Sequence, residues 1–299
     1  MTRARRLVAI LALTALPAAG CSRAGELVVA VQTDMAVPKD IDTIKIEVFV
    51  GSALKFSNDY RRLGMPDAEV KLPATLGFYA EDDPEGPVRV KVSARVGGDQ
   101  GSVRVVREVV TEVPDDRVAR LPVPIHFLCD GSGVSENGEA IDVMCPAADE
   151  TCIAGACAPS AVDVEALVDY DPADVYGGGT GSGDGACFDV EPCFAAAEPV
   201  PPGALDLDAC AFPAGANVNV ALRVDGDGMC GDAGCFIALD ADSEAGWRVL
   251  GGTLVLPPAA CAQVAAGKVL GVVTAPVTDA CPRKTAGLPT CGLWSASGS

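Results

Sequence analysis

Val88-Arg89-Val90-Lys91-Val92-Ser93-Ala94-Arg95-Val96 decides the fold class: an apolar residue stands at every second position, and arginine, lysine and serine fill the gaps. Strand side chains point to alternate faces, so this run presents one apolar and one polar face, as a half-buried β-strand does. Residues 43–50 repeat the pattern with Ile44, Ile46, Val48 and Val50 on one side. Further strands are predicted at 27–32, 68–72, 103–113 and 118–123, separated by clusters of Gly, Pro, Asp and Asn. About seven short strands in roughly a hundred residues predict a β-sandwich of immunoglobulin-like size over 26–128. That stretch contains neither cysteine nor tryptophan, so the Cys…Trp…Cys core of a true immunoglobulin domain is absent from it.

The rest of the chain has another composition. Cys129, Cys145, Cys152 and Cys157 crowd a stretch, 129–157, with few apolar residues to bury, which predicts a small disulfide-stapled segment. Gaps of six and four residues between Cys145, Cys152 and Cys157 do not give the close C-x₂₋₄-C pair with a matching second pair that zinc sites usually show, and thiolates rarely survive unoxidised outside the cytoplasm. Residues 158–185 end in Gly177-Gly178-Gly179-Thr180-Gly181-Ser182-Gly183 and are predicted to be a flexible linker. From 186 to 299 come Cys187, Cys193, Cys210, Cys230, Cys235, Cys261, Cys281 and Cys291. Strand-like runs at 216–224, 235–239, 251–256 and 269–274, with a helix at 257–266, predict a second disulfide-rich β domain, a sandwich or jelly roll. The whole is therefore all-β. Twelve cysteines after Cys21 form six disulfides in an oxidising compartment, with connectivity open except that Cys230 and Cys235 flank a hairpin-sized gap.

The first twenty residues place Arg3, Arg5 and Arg6 before the apolar run 7–16, then Pro17-Ala18-Ala19-Gly20 before Cys21. Charge, length and small residues mark a secretory leader, too short in its apolar part for a membrane span of about 20 residues. Small residues before a cysteine resemble the lipobox of bacterial lipoproteins, although Ala18 stands where Leu is usual. That resemblance implies cleavage after Gly20, diacylglycerol on the Cys21 thiol and an acylated amino terminus, with 21–25 as the anchor. Fatty chains, palmitate among them, would hold the protein to a membrane. Ser22 implies the outer membrane under the sorting rule of enteric bacteria.

Leu27-Val28-Val29-Ala30-Val31-Gln32-Thr33-Asp34-Met35-Ala36-Val37-Pro38, the cluster Cys145 to Cys157, and the ending Cys281-Pro282-Arg283-Lys284-Thr285 with Leu288-Pro289-Thr290-Cys291 resemble predicted surface lipoproteins of myxobacteria and related high-GC Gram-negative bacteria. The resemblance implies an address and an architecture; the family carries no assigned chemistry.

Net charge is −19, which excludes nucleic acid as a partner. Residues 22–128 carry fourteen basic and seventeen acidic side chains, whereas 129–299 carry five and twenty-four, and none from Leu121 to Leu222 is Lys or Arg. Those carboxylates have no local counter-ion, so the sequence predicts that they are solvated, neutralised by cations or offered to a basic partner. No cofactor is demanded by any motif. Calcium is the candidate, with Asp225 and Asp227 in one turn and Asp240, Asp242 and Glu244 in another, neither completing an EF-hand. Arg89, Lys91 and Arg95 form a basic strip that could touch anionic head groups, against the plainer alternative of a solvated sheet face. Trp247 and Trp294 are candidates for a sugar-contacting platform, the alternative being core packing.

Catalytic motifs are absent. His126 is the only histidine and is expected to be a half-buried strand or turn residue, with no G-x-S-x-G elbow nearby. The expectation is a noncatalytic binding or structural module of the cell envelope, facing an envelope protein or a glycan. The alternatives are a glycan-active enzyme using paired carboxylates and a calcium-dependent carbohydrate-binding protein.

Overall fold

A computed structural model describes residues 25–79, 86–178, 185–213, 215, 217–292 and 295–296. Seven strands build the amino-terminal lobe: β1 (Glu26–Thr33), β2 (Thr43–Val50), β3 (Ala53–Tyr60), β4 (Ala74–Tyr79), β5 (Val88–Val96), β6 (Ser102–Thr111) and β7 (Val118–Ile125). They form an antiparallel sheet β3-β2-β5-β6 and a second sheet β4-β1-β7, in which β1 runs parallel to β7. The β2–β5 register sets Ile46 opposite Val92 and Val48 opposite Val90. Those side chains meet Leu27, Val29, Leu121 and Val123 of the facing sheet in one core. Each fully buried Val, Ile or Leu there contributes roughly 1.5–3 kcal/mol.

Two strands depart from the sequence expectation. Residues 68–72 alternate but form no strand; Leu72 enters the core, and the ladder begins after Pro73, which has no N–H to donate. β3 carries no two-residue period because it is an edge strand, exposed on both faces for most of its length.

The cysteine-rich segment stands on the sandwich. Its hairpins, β8 (Gly133–Glu136) with β9 (Glu139–Asp142) and β10 (Glu150–Ile153) with β11 (Ala156–Pro159), are held by Cys129–Cys152 and Cys145–Cys157. Ala140 packs on Val103 and Val106 of β6, and a Cβ on Gly133 would lie 2.3 Å from Val103 Cγ1, so only glycine permits this approach.

The linker expectation needs correction over 158–178; residues 179–184 lie outside the described ones. Val110 N–H of β6 donates to Ser160 O, and Val162 N–H returns the bond to Val110 O. The chain then crosses to β7, where Arg120 N–H donates to Val168 O and Tyr170 N–H donates to Val118 O. Helix α1 (Ala173–Tyr176) sets Val175 and Tyr176 on Ala30. The segment is a strap that satisfies the free edges of both sheets on one side of the sandwich, a common protection against edge-to-edge association.

The carboxy-terminal lobe contains α2 (Val190–Phe194), β12 (Glu198–Pro199), β13 (Ala211–Pro213), β14 (Val218–Val224), β15 (Met229–Gly231), β16 (Gly234–Leu239), β17 (Arg248–Leu250), β18 (Thr253–Val255), α3 (Pro258–Ala265) and β19 (Val269–Pro276). A five-stranded sheet β12-β19-β14-β16-β15 accompanies a three-stranded sheet β13-β18-β17. One face of the larger sheet offers Val220, Leu222 and Ile237 to a core shared with Phe212, Leu254 and Trp247. Its other face sets Ala221, Phe236 and Val273 against Phe188 and Phe194, whose ring stacks on Phe236 at 5.5 Å between centroids. No helix among the described residues is long and apolar enough to cross a membrane.

All twelve cysteines from Cys129 onward pair; the lobe's bridges are Cys187–Cys291, Cys193–Cys281, Cys210–Cys261 and Cys230–Cys235. Cys230–Cys235 joins neighbouring strands across five residues, with Cys230 exposed. Loop closure over so short a span contributes about 2 kcal/mol. Under mild reductant this bridge opens first, as alkylation mapping will show, while the lobe keeps its fold.

Candidate functional site

The two lobes meet around a bulge in β6. Ala94 pairs with Val105 but Arg95 pairs with Val103, leaving Arg104 as the extra residue. A bulge bends its strand and re-aims the side chain, and here it sends Arg104 into the junction. Its Nε and Nη2 donate to the two oxygens of Asp130 at 2.5 and 2.7 Å, and Nη2 also reaches Asp227 Oδ1 at 3.3 Å. Asp40, 1% exposed, accepts from Ala36 N–H at 2.8 Å and from Gly228 N–H at 2.7 Å, and pairs with Lys39 at 3.0 Å. Lys39 also donates to Gly226 O.

The turn 225–228, the first calcium candidate, is thus docked on the sandwich, with Asp227 facing Arg104. In the second candidate Asp240 faces Lys284, Asp242 faces Arg283 and Glu244 faces Arg248. Asp225 is exposed. Among the described residues no group of three or more His, Cys, Asp or Glu side chains converges in a metal-holding arrangement. The expectation that acids after Leu121 lack counter-ions holds only locally: Arg104, Arg117 and Arg120 of the sandwich reach Asp130, Asp169 and Asp174. Arg104→Ala removes the charged hydrogen bonds to Asp130 and Asp227 and lowers unfolding free energy by about 2 kcal/mol. Asp227→Asn, on the wetter side, costs less than about 1 kcal/mol; urea titration of both variants checks the order.

A cleft between the lobes gathers two strongly perturbed side chains, Asp34 and His126. The sandwich supplies 32–34 from the end of β1, Leu72 with Pro73, and Pro124 and His126 around the end of β7; the other lobe supplies 238–240, Ala245, Lys284, Pro289 and Thr290. Asp34 Oδ1 accepts from Phe127 N–H at 2.7 Å. Burial is the main cause that pushes the Asp34 carboxyl up to about 7, with Asp240 adding to it and the Phe127 bond and Lys284 opposing. Burial likewise pushes His126 down to about 4, aided by Arg107 and Lys284 and opposed by Asp240. Both groups keep a little surface open to the cavity while protein surrounds them. Lys284 Nζ sits 2.5 Å from Asp240 Oδ1 and 3.1 Å from Thr285 O. The free space is about 30 Å³, room for one or two waters.

A carboxyl pushed up and an imidazole pushed down in one cleft could serve acid–base chemistry, yet the free space of about 30 Å³ is far smaller than a sugar ring. His126, expected as a half-buried strand or turn residue, is half-buried directly after the end of β7. Asp34 is missed by sequence reasoning, and its signal is slight: an acid following closely on the apolar run of β1.

Trp247 is not a surface platform: it is fully buried, with Arg283 over its ring at 4.8 Å. Trp294 lies outside the described residues, as does Cys21. The basic strip is largely spent within its own sheet. Arg89 pairs with Glu108 at 3.3 Å and lies over the Phe49 ring, Lys45 pairs with Glu47, and Arg95 is buried. Compared with known families, curated proteins and solved structures, the chain matches none.

Proposed function

We propose that this is a noncatalytic lipoprotein of the cell envelope, anchored through Cys21, in which the sandwich is a stiff spacer presenting an acidic lobe to a basic envelope protein. The observation that carries the reading is the cysteine pairing. Twelve cysteines close six bridges among themselves, which leaves Cys21 as the odd one, directly behind a leader-like sequence.

The course of the chain supports the spacer. β1 starts five residues after Cys21 in the sequence and ends at the cleft against the other lobe, so its eight residues span about 25 Å from the described start of the chain to the lobe. The strap and the docked turn stiffen that connection. On the far lobe Glu191, Glu198, Asp206, Asp208, Asp225, Asp232 and Asp279 are exposed. Such a field attracts cationic surfaces and repels anionic ones.

The test is metabolic labelling with palmitate in a Gram-negative host, comparing the parent with Cys21→Ser. The reading expects label and membrane sedimentation for the parent, and neither for the variant. An unlabelled parent that keeps its leader would sink it.

A further inference from the structure

Lys284 and Asp240 form an ion pair in which both partners are also fixed by backbone hydrogen bonds. Lys284 is buried, and its amine lies 2.5 Å from Asp240 Oδ1. Its backbone is clamped on both sides of the side chain: Lys284 N–H donates to Asn219 Oδ1 at 2.8 Å, and Lys284 O accepts from Ala241 N–H at 2.8 Å. Asp240 is clamped as well, its carbonyl accepting from the N–H of the fully buried Trp247 at 2.8 Å. With Nζ against Oδ1, the carboxyl carbon lies about 3.5 Å from the amine, which reaches it by swinging out of the carboxylate plane, a rotation of the lysine side chain alone. The Lys284 and Asp240 side chains are 8% and 19% exposed, and the cavity beside them has room for one or two waters, so little water competes with the amine for the carboxyl carbon.

We propose that Lys284 and Asp240 condense after folding into an intramolecular amide, with the Asp34 carboxyl as the proton carrier. A proton first moves from Nζ to Asp240, leaving an amine and a carboxylic acid. The amine lone pair then forms the N–Cγ bond. Asp34 protonates the hydroxyl, the C–O bond breaks and water leaves. The nitrogen returns a proton to Asp34, which ends as it began. One ammonium and one carboxylate become one amide and one water, with no oxidant and no net proton. Asp34 suits the role because it lines the same cleft. Burial also keeps much of it un-ionised at neutral pH, its proton affinity lying near 7.

The bond would tie the end of β16 to the segment between Cys281 and Cys291, beside the junction through which any pull between sandwich and acidic lobe passes. It does not depend on the anchor at Cys21.

Intact mass of the exported, folded protein lacking Cys21 tests it, measured before and after full reduction. The expected result is a reduced mass short of the sequence mass by one water, with digestion yielding a branched peptide joining residues 240 and 284. Lys284→Arg and Asp240→Ala should each restore the full mass. Asp34→Asn, which still accepts from Phe127 N–H, should form six disulfides but condense at least tenfold more slowly. Full sequence mass in reduced parent protein whose six bridges had formed overturns the proposal. So does a missing water that persists in Lys284→Arg. Condensation of Asp34→Asn at the parent rate overturns the proton-carrier step.

Discussion

Replacing Cys187 and Cys291 together with Ser lowers unfolding free energy by about 5 kcal/mol, because the bridge closes a loop of 104 residues and closure entropy grows with the logarithm of loop length. Backbone bonds that do not need the bridge hold the same ends of the lobe together: Phe188 N–H donates to Pro289 O and Cys291 N–H donates to Phe188 O, both at 2.8 Å. The folded lobe therefore gives the variant little new freedom, and the loss falls mainly on the unfolded side. Urea unfolding with a lower midpoint and a larger m, because the unbridged unfolded chain exposes more surface, is the expected signature. A loss below about 1 kcal/mol would mean that the unfolded chain stays compact without the bridge.

The second large effect is hidden in the parent protein and appears only in variants. Asp34 has a folded-state value near 7, raised above its ordinary 3.8; its contribution is complete below 3.8 and is lost as pH rises toward 7. His126 is depressed from 6.5 to about 4; its contribution is complete above 6.5 and is lost as pH falls toward 4. Between pH 4 and 6.5 the two slopes oppose each other at about 1.4 kcal/mol per pH unit each. Relative to the parent, Asp34→Asn should gain stability with rising pH across that window, and His126→Asn should lose it, by about 3 kcal/mol in each case. Burial dominates both shifts, so the result holds whether or not Lys284 and Asp240 are covalently joined. Parallel pH profiles for parent and variants, from urea titrations at half-unit steps, would contradict the cleft's electrostatics.

Much of the fold was legible because its core strands are half-buried. The alternation at 43–50 and 88–96 reports a sheet with one dry face, and it located β2 and β5 to the residue. β3 and β4 were missed or displaced because edge strands bury little, so nothing enforces alternation. The strap at 158–178 read as a linker since much of its anchoring is by backbone hydrogen bonds to β6 and β7, which leave no mark on side-chain pattern, and its buried Leu167, Val175 and Tyr176 follow no strand period. The same limit governs the charges. A stretch without Lys or Arg says nothing of cations brought from elsewhere, and Arg104 reaches Asp227 only because a bulge turns it outward. The cleft was the least visible feature: Asp34, His126, Asp240 and Lys284 are scattered over the chain and meet only when the lobes dock. The pairing at 283–284, two of only five cations after residue 128, was the one hint that acids would converge there.

A spacer that presents the acidic lobe requires both lobes to form one stiff body, joined by a continuous core and by the contacts of Arg104, Asp40 and the docked turn. Differential scanning calorimetry of the Cys21-less, disulfide-intact protein tests this most directly. One transition is predicted, with calorimetric and van't Hoff enthalpies equal. Two separated transitions, one for the sandwich and one for the acidic lobe, would contradict it.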